Sequence, residues 1–309
     1  MSSLQGKVCL VTGATRGIGK GIAVILGEEG ATVYITGRTL EAKPGLSGSL
    51  KETAQEIDAA GGKGIPIQCD HSKDEDIAKL FATIAKEQDG RLDILVNNAY
   101  AGVQAIFDNS QKKFWEQPDN MWDTINGVGL RAHYIATCHA SRLMVPRKQG
   151  LIVNISSAGG LRYLFNVAYG IGKAGVDRMA ADCGYELKKS NVAMVSLWPG
   201  PVKTEYVSKN LNERDEMKSI FSDAEDPTFS GKAVVAMAND PNIMKKTGKI
   251  VTTADLSTEY GFTDISGNRP SNIRSVKDML KFSGSNLAPI VPGWIRLPWW
   301  VIAATTHKF

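Results

Sequence analysis

The sequence contains no run of 18 uninterrupted apolar residues, so no membrane-spanning helix is expected. The first strand-like pattern begins within ten residues of Met1, so no signal peptide or transit segment is expected. Cysteine is scarce: Cys9, Cys69, Cys138 and Cys183 are the four in 309 residues, and none has metal-ligand spacing. Reduced, buried thiols and no metal site are expected. No basic block occurs. Lysines and arginines are interspersed with acids, and a net charge of +4 is too mild to argue for nucleic acid. There is also no linker as far as about Val251, so one domain is expected although the length permits two. What remains is a composition of 43% apolar and 22% charged residues, enough for a sizeable core.

Strand patterns lie near 7–12, 31–36, 64–69, 92–97, 150–155, 192–197 and 248–252; helical patterns lie near 17–29, 47–60, 73–89, 118–145, 168–189 and 230–239. This is βαβαβ twice over. Strands such as Leu151-Ile152-Val153-Asn154-Ile155 are largely apolar, as in a parallel sheet covered on both faces. The expected fold class is α/β: a doubly wound, Rossmann-type parallel sheet of seven strands with helices on both faces. Residues 1–253 are expected to form a dinucleotide-binding catalytic domain, with an insertion near 103–118 and a substrate loop near 200–229. Residues 254–309 form a C-terminal extension. Right-handed crossovers would bring the first turn, the Asn97 loop and the Ser157 loop to one sheet edge, where such folds bind ligands.

The first turn is rich in glycine. Thr12-Gly13-Ala14-Thr15-Arg16-Gly17-Ile18-Gly19 joins an apolar strand to a helix that stops at Gly30. Gly13 allows the tight turn, Gly17 lets the backbone approach a pyrophosphate, and Gly19 lets helix and strand pack closely. The helix N-terminus, with Thr15 and Ile18 beside these glycines, offers N–H groups to phosphates. Strand two ends in Gly37-Arg38, where an acid would bind a ribose 2′-OH and repel a 2′-phosphate. Arg38 and Arg16 can instead grip a 2′-phosphate, so NADP(H) is expected ahead of NAD. Further along, Tyr169 and Lys173 stand four residues apart and share a helix face, with Ser156-Ser157 upstream. A nearby ammonium favours a phenolate, and a tyrosine tuned this way can exchange a proton with a substrate oxygen.

Together these motifs resemble the short-chain dehydrogenase/reductase superfamily over roughly residues 5 to 253. Thr12 to Gly19 matches its T-G-x-x-x-G-x-G, Asn97-Asn98-Ala99 the start of its N-N-A-G, and Pro199-Gly200-Pro201-Val202-Lys203-Thr204 its P-G-x-x-x-T. Finer details, including Tyr100-Ala101-Gly102-Val103-Gln104 and a terminus reading Thr306-His307-Lys308-Phe309, are similar to one branch of that family. The resemblance implies that Ser157 holds and Tyr169 protonates the substrate oxygen, while Lys173 lowers the tyrosine pKa and holds the nicotinamide ribose. It implies cofactor contacts for Asp70 (adenine), Asn97, Pro199, Gly200, Val202 and Thr204 (carboxamide). It also implies dimerisation through helices 118–145 and 168–189. Ser157 is preferred to Ser156 because Ser157-Ala158-Gly159-Gly160 fits S-x-x-G, although Ser156 has the more usual thirteen-residue separation from Tyr169.

Two departures stand out. The family's asparagine in V-N-L-x-G is replaced by Gly129, and Asn126 lies three residues earlier, where it could reach the same region. Tyr100 replaces the glycine of N-N-A-G and would narrow the space near the cofactor. Leu161 to Val167, with Tyr206 and the loop to about 229, would line a largely apolar cleft. The expected substrate is a lipophilic carbonyl such as a steroid, quinone or aromatic ketone. The tail carries Trp294, Trp299 and Trp300 among prolines, which suits a membrane interface, a partner subunit or the chain's own active site. On the membrane reading, a cytosol-facing endoplasmic reticulum surface is the natural place for lipophilic substrates. The competing expectation is a weakly active NADP-binding protein whose tail recruits partners.

Overall fold

The computed structural model describes residues 3–45, 47–210, 221, 223–282 and 285–304. The expected residues 211–220 of the substrate loop, and the last residues of the tail, lie outside that set. Seven parallel strands form one sheet in the order β3-β2-β1-β4-β5-β6-β7. They are β1 (Val8–Val11), β2 (Thr32–Gly37), β3 (Lys63–Gln68), β4 (Ile94–Asn97), β5 (Gly150–Ile155), β6 (Val192–Trp198) and β7 (Ile250–Thr252). The order reverses between β1 and β4, which opens a crevice at the carboxyl ends of those strands. β1, β4 and β6 are buried at every position, as double coverage requires. Pro66 sits on the edge strand β3, where a missing N–H can be tolerated.

The covering helices are α1 (Gly17–Glu28), α2 (Leu50–Ala59), α3 (Asp74–Glu87), α5 (Met121–Asn126), α6 (His133–Arg147), α7 (Val167–Leu187) and α9 (Pro227–Ala238). Ile22, Leu26, Val234 and Met237 pack on one face of the sheet; Leu80, Ile84, Ala136 and Ala180 pack on the other. The insertion forms α4 (Val103–Asp108) and a 3-10 turn at Phe114–Glu116. The loop after β6 leads into α8 (Glu205–Asn210).

One expectation needs correction. The helix expected over 118–145 is not continuous: α5 and α6 are joined by a π-helical stretch, Gly127–Ala132. Such stretches shift the side-chain register part-way along a helix and recur at functional sites. The extension after β7 folds onto the domain. It contains α10 (Thr253–Tyr260), α11 (Val276–Phe282) and α12 (Trp299–Ala304). Asp255 accepts hydrogen bonds from Asn272, Arg274 and Arg296, and Trp299 packs edge-on against Trp198 at 5.4 Å. Among the described residues, no helix is long and apolar enough to cross a membrane.

Candidate active site

The glycine turn and the loop after β4 are built as one piece. Gly13 has φ +68°, and a Cβ there would stand 2.7 Å from the Ala99 Cα. A Cβ on Gly19 would land 2.3 Å from the Asn98 Nδ2, which donates to the carbonyls of Thr12 and Gly13 at 2.9 Å. Thr12 Oγ1 accepts from the amides of Asn98 and Ala99. Asn97 is fully buried and donates to Asn154 Oδ1 (2.9 Å) and Thr137 Oγ1 (3.0 Å), so it ties β4 to β5 and α6. Ile18, partly buried, packs its side chain against the core.

The amino end of α1 already holds an anion. The Gly17 amide donates to Glu205 Oε2 at 2.8 Å, so the donor is set for a negatively charged group. At the end of β2, a Cβ on Gly37 would meet the Thr15 methyl at 2.8 Å, so an acidic side chain there would have to displace Thr15. Arg38 is exposed, and Arg16, half-buried, reaches Ser47 Oγ at 3.4 Å. Burial pushes the Asp70 carboxyl up, but hydrogen bonds from Ser72 and the charges of Arg38 and Lys73 together bring it below its ordinary range.

On the loop after β6, the Gly200 amide donates to Glu225 Oε1 at 2.8 Å, and Val202 bridges Glu225 through the backbone. Burial pushes the Glu225 carboxyl up to about 7, against hydrogen bonds from Thr253 and Gly200. Pro199 is half-buried on the same loop. Thr204 places its methyl 3.2 Å from where a Gly17 Cβ would be, so this loop and the glycine turn face each other.

The serine, tyrosine and lysine come together where the chain leaves β5 and along α7. Ser157 Oγ and Tyr169 Oη share a hydrogen bond of 2.7 Å. Asn166, the N-cap of α7, accepts from the Tyr169 amide at 2.8 Å and fixes where the helix starts. Ser156 points the other way: it is buried and donates to the Lys173 carbonyl at 3.3 Å. Lys173 Nζ donates to Ile155 O at 3.0 Å. Burial lowers the Lys173 ammonium to about 8, partly opposed by Asp177.

The expected lowering of the tyrosine pKa is not seen. Burial moves Tyr169 above its ordinary value, against the hydrogen bond from Ser157, and Lys173 Nζ lies 5.8 Å from the ring centroid. Asn126 is buried, and its Nδ2 donates at 3.1 Å to Ala168 O, the residue before Tyr169. It therefore touches the start of α7. Tyr100 packs against Gly129, where a Cβ would fall 2.6 Å from its Cδ2.

Several residues of this site were not anticipated. Asp177 accepts from Ser196 Oγ (2.5 Å) and Trp198 Nε1 (2.9 Å), and its carboxyl is pushed up by burial. Its i+4 spacing from Lys173 was the available signal. Glu205 and Glu225 act across 188 and 25 residues, and no local pattern marks them. His133, buried, donates from Nε2 to Ala99 O at 3.0 Å and is held neutral by burial, which lowers it to about 3.

The family described as short chain dehydrogenase matches residues 7–215. The chain belongs to the short-chain dehydrogenase/reductase family. Within that family it is similar to dehydrogenase/reductase SDR family member 1 of Mus musculus, 47% identical over 325 aligned positions that cover 100% of both chains. Its identity to the Homo sapiens protein of the same name is 48%, over 99% of each. These two bear out the branch-level resemblance. A metagenomic short-chain oxidoreductase solved in complex with NADP superposes with a TM-score of 0.64 at 29% identity, over 81% of this chain and 97% of that one. Short-chain dehydrogenase/reductase enzymes are oxidoreductases that use a nicotinamide cofactor and small-molecule substrates, and this chain shares that character.

Proposed function

We propose that this protein is an NADP(H)-dependent carbonyl reductase acting on lipophilic ketones such as steroids or xenobiotic carbonyls. The carrying observation is the 2.7 Å hydrogen bond between Ser157 Oγ and Tyr169 Oη, with Lys173 one helical turn on. The residues present fit the nicotinamide cofactor. The Gly17 amide already receives a carboxylate where a phosphate would bind, and Arg16 and Arg38 flank a strand end without an acid. Gly13, Gly17 and Gly19 would form the cradle, with Thr15 and Ile18 beside them; Asp70 would meet the adenine. Asn97, Pro199, Gly200, Val202 and Thr204 would frame the nicotinamide end, with Lys173 on its ribose. NADP binding by the metagenomic neighbour supports the same preference.

When bound, the reduced nicotinamide supplies the hydride. Ser157 donates a hydrogen bond to the substrate carbonyl oxygen, where negative charge develops. Tyr169 Oη passes its proton to that oxygen, and the buried Lys173 ammonium offsets the phenolate left behind. Asn126 steadies the start of α7, and with it Tyr169.

Support for an apolar substrate comes from Tyr163, Phe165 and Val167, all exposed beside Tyr169, with the Phe165 ring edge-on to it at 5.0 Å. Phe107 of the insertion meets Tyr206 of α8 at 5.2 Å, which adds a second aromatic wall. Exposed Tyr134 on α6 and Tyr185 on α7 suit pairing of two copies through those helices. Exposed Leu287, Ile290, Trp294 and Trp300 suit peripheral contact with a membrane such as the cytosolic face of the endoplasmic reticulum.

The test is a screen of lipophilic ketones with NADPH and purified protein. Activity is expected, and Tyr169→Phe should reduce it by about 10²–10⁴-fold with NADPH binding retained. Equal rates in the two proteins would remove Tyr169 as the proton donor.

A further inference from the structure

The surroundings of Lys173 include an aromatic side chain given no role above. Tyr100 is half-buried, and its hydroxyl is wholly buried with no hydrogen-bond partner among the described residues. Its ring is edge-on to Tyr169 at 6.2 Å. Lys173 Nζ stands 5.2 Å from its centroid, closer than to the ring of Tyr169. That position depends on Gly129: a Cβ there would fall 2.6 Å from Tyr100 Cδ2 and 2.7 Å from Cε2, too close for both to stay. Gly129 lies in the π-helical stretch, so the backbone irregularity and the missing side chain together make room for the ring.

We propose that Tyr100 is a positioning residue for Lys173, whose ring face holds the ammonium in its charged form beside Tyr169, and that Gly129 exists to admit that ring. This rests on the carbonyl-reductase reading above. Lys173 is 9% exposed and its Nζ donates to Ile155 O, so the ammonium sits in a largely desolvated setting. A desolvated cation is attracted by the negative face of an aromatic ring. The titratable groups facing it are Tyr100, Tyr169, Asp177 and His133. Burial raises both tyrosines and lowers His133, so these three stay neutral through the neutral range. Asp177 favours the charged form of the lysine, and the Tyr100 ring lies 5.2 Å from the ammonium. The Tyr100 hydroxyl finds no hydrogen-bond partner among the described residues, so its contact with the ammonium is made through the ring.

The experiment titrates Lys173 directly, by the ¹³Cε shift of labelled lysine in the full-length protein, beside the pH profile of ketone reduction. Tyr100→Leu should lower the Lys173 pKa by about one unit and move the alkaline fall in rate by the same amount. Tyr100→Phe should leave both at wild-type values. Gly129→Ala, which displaces the ring without removing it, should shift Lys173 in the same direction and serves if the leucine variant does not fold. An unmoved Lys173 titration in Tyr100→Leu or Gly129→Ala, or a phenylalanine variant that behaves like leucine, would overturn the proposal. The titration needs no turnover, so a wild-type protein that reduces no ketone sinks the functional reading while leaving this one separately decided.

Discussion

Ser156 and Ser157 are adjacent and chemically alike, yet one faces the Lys173 carbonyl and the other the Tyr169 hydroxyl. Side chains alternate in direction along extended chain, so neighbours at the end of β5 are sent to opposite sides. Ser157→Ala should therefore lower kcat by about 10²-fold, and Ser156→Ala should leave kcat near wild type while costing about 1–3 kcal/mol of stability. Steady-state kinetics and thermal melts of both variants decide it; equal kinetic losses would count against Ser157. A pH dependence also follows. Tyr169 lies above its ordinary value, so it carries its proton through neutral pH. Lys173 titrates at about 8. Reduction should hold steady from pH 6 to 7 and decline above about 8; a rate unchanged to pH 10 would contradict this. The stability effect has the opposite sense. Between about 8 and the ordinary 10.5, the unfolded state binds more protons at this lysine, so its contribution to folding stability rises with pH. The Ser157, Tyr169 and Lys173 constellation was legible because its spacing is short. The Tyr100 ring position was not, because it depends on a missing side chain at Gly129.

At the scale of elements, the glycine turn was legible because strand, turn and helix follow one another locally. The π-helical stretch was not: Val128-Gly129-Leu130 continues an apolar pattern that an ordinary helix would also satisfy. The proposed cofactor preference is argued at the element scale too, since β2 ends in Gly37 against Thr15, followed directly by Arg38. Replacing Arg38 by Asp should weaken NADPH by about 10–100-fold and leave NADH within a few-fold, as loss of a charge-assisted bond implies. Fluorescence titration with both nucleotides measures it; equal effects would remove the 2′-phosphate role.

For the whole molecule, the open question in the sequence was what the tail packs against. Its described part is clasped by Asp255 through Arg274 and Arg296, and Arg274 lies over Trp299, which meets Trp198. Asp255 and Arg296 are 41 residues apart, so no periodicity could pair them. Trp294 and Trp300, 78% and 73% exposed, take no part in that clasp. Changing both to Ser should reduce pelleting with anionic vesicles by about tenfold without altering the melting temperature, as loss of interfacial anchors implies; unchanged pelleting would discount the tail as an anchor. The contact between the Gly17 amide and the Glu205 carboxylate spans 188 residues and bears on how fast coenzyme can load. One N–H cannot serve two anions, so in the proposed coenzyme site an incoming pyrophosphate would have to evict a resident side chain. Observed affinity is then the intrinsic affinity scaled by the fraction of molecules in which the resident has left. On that reading, Glu205 of α8 is a built-in rival for the coenzyme's phosphates.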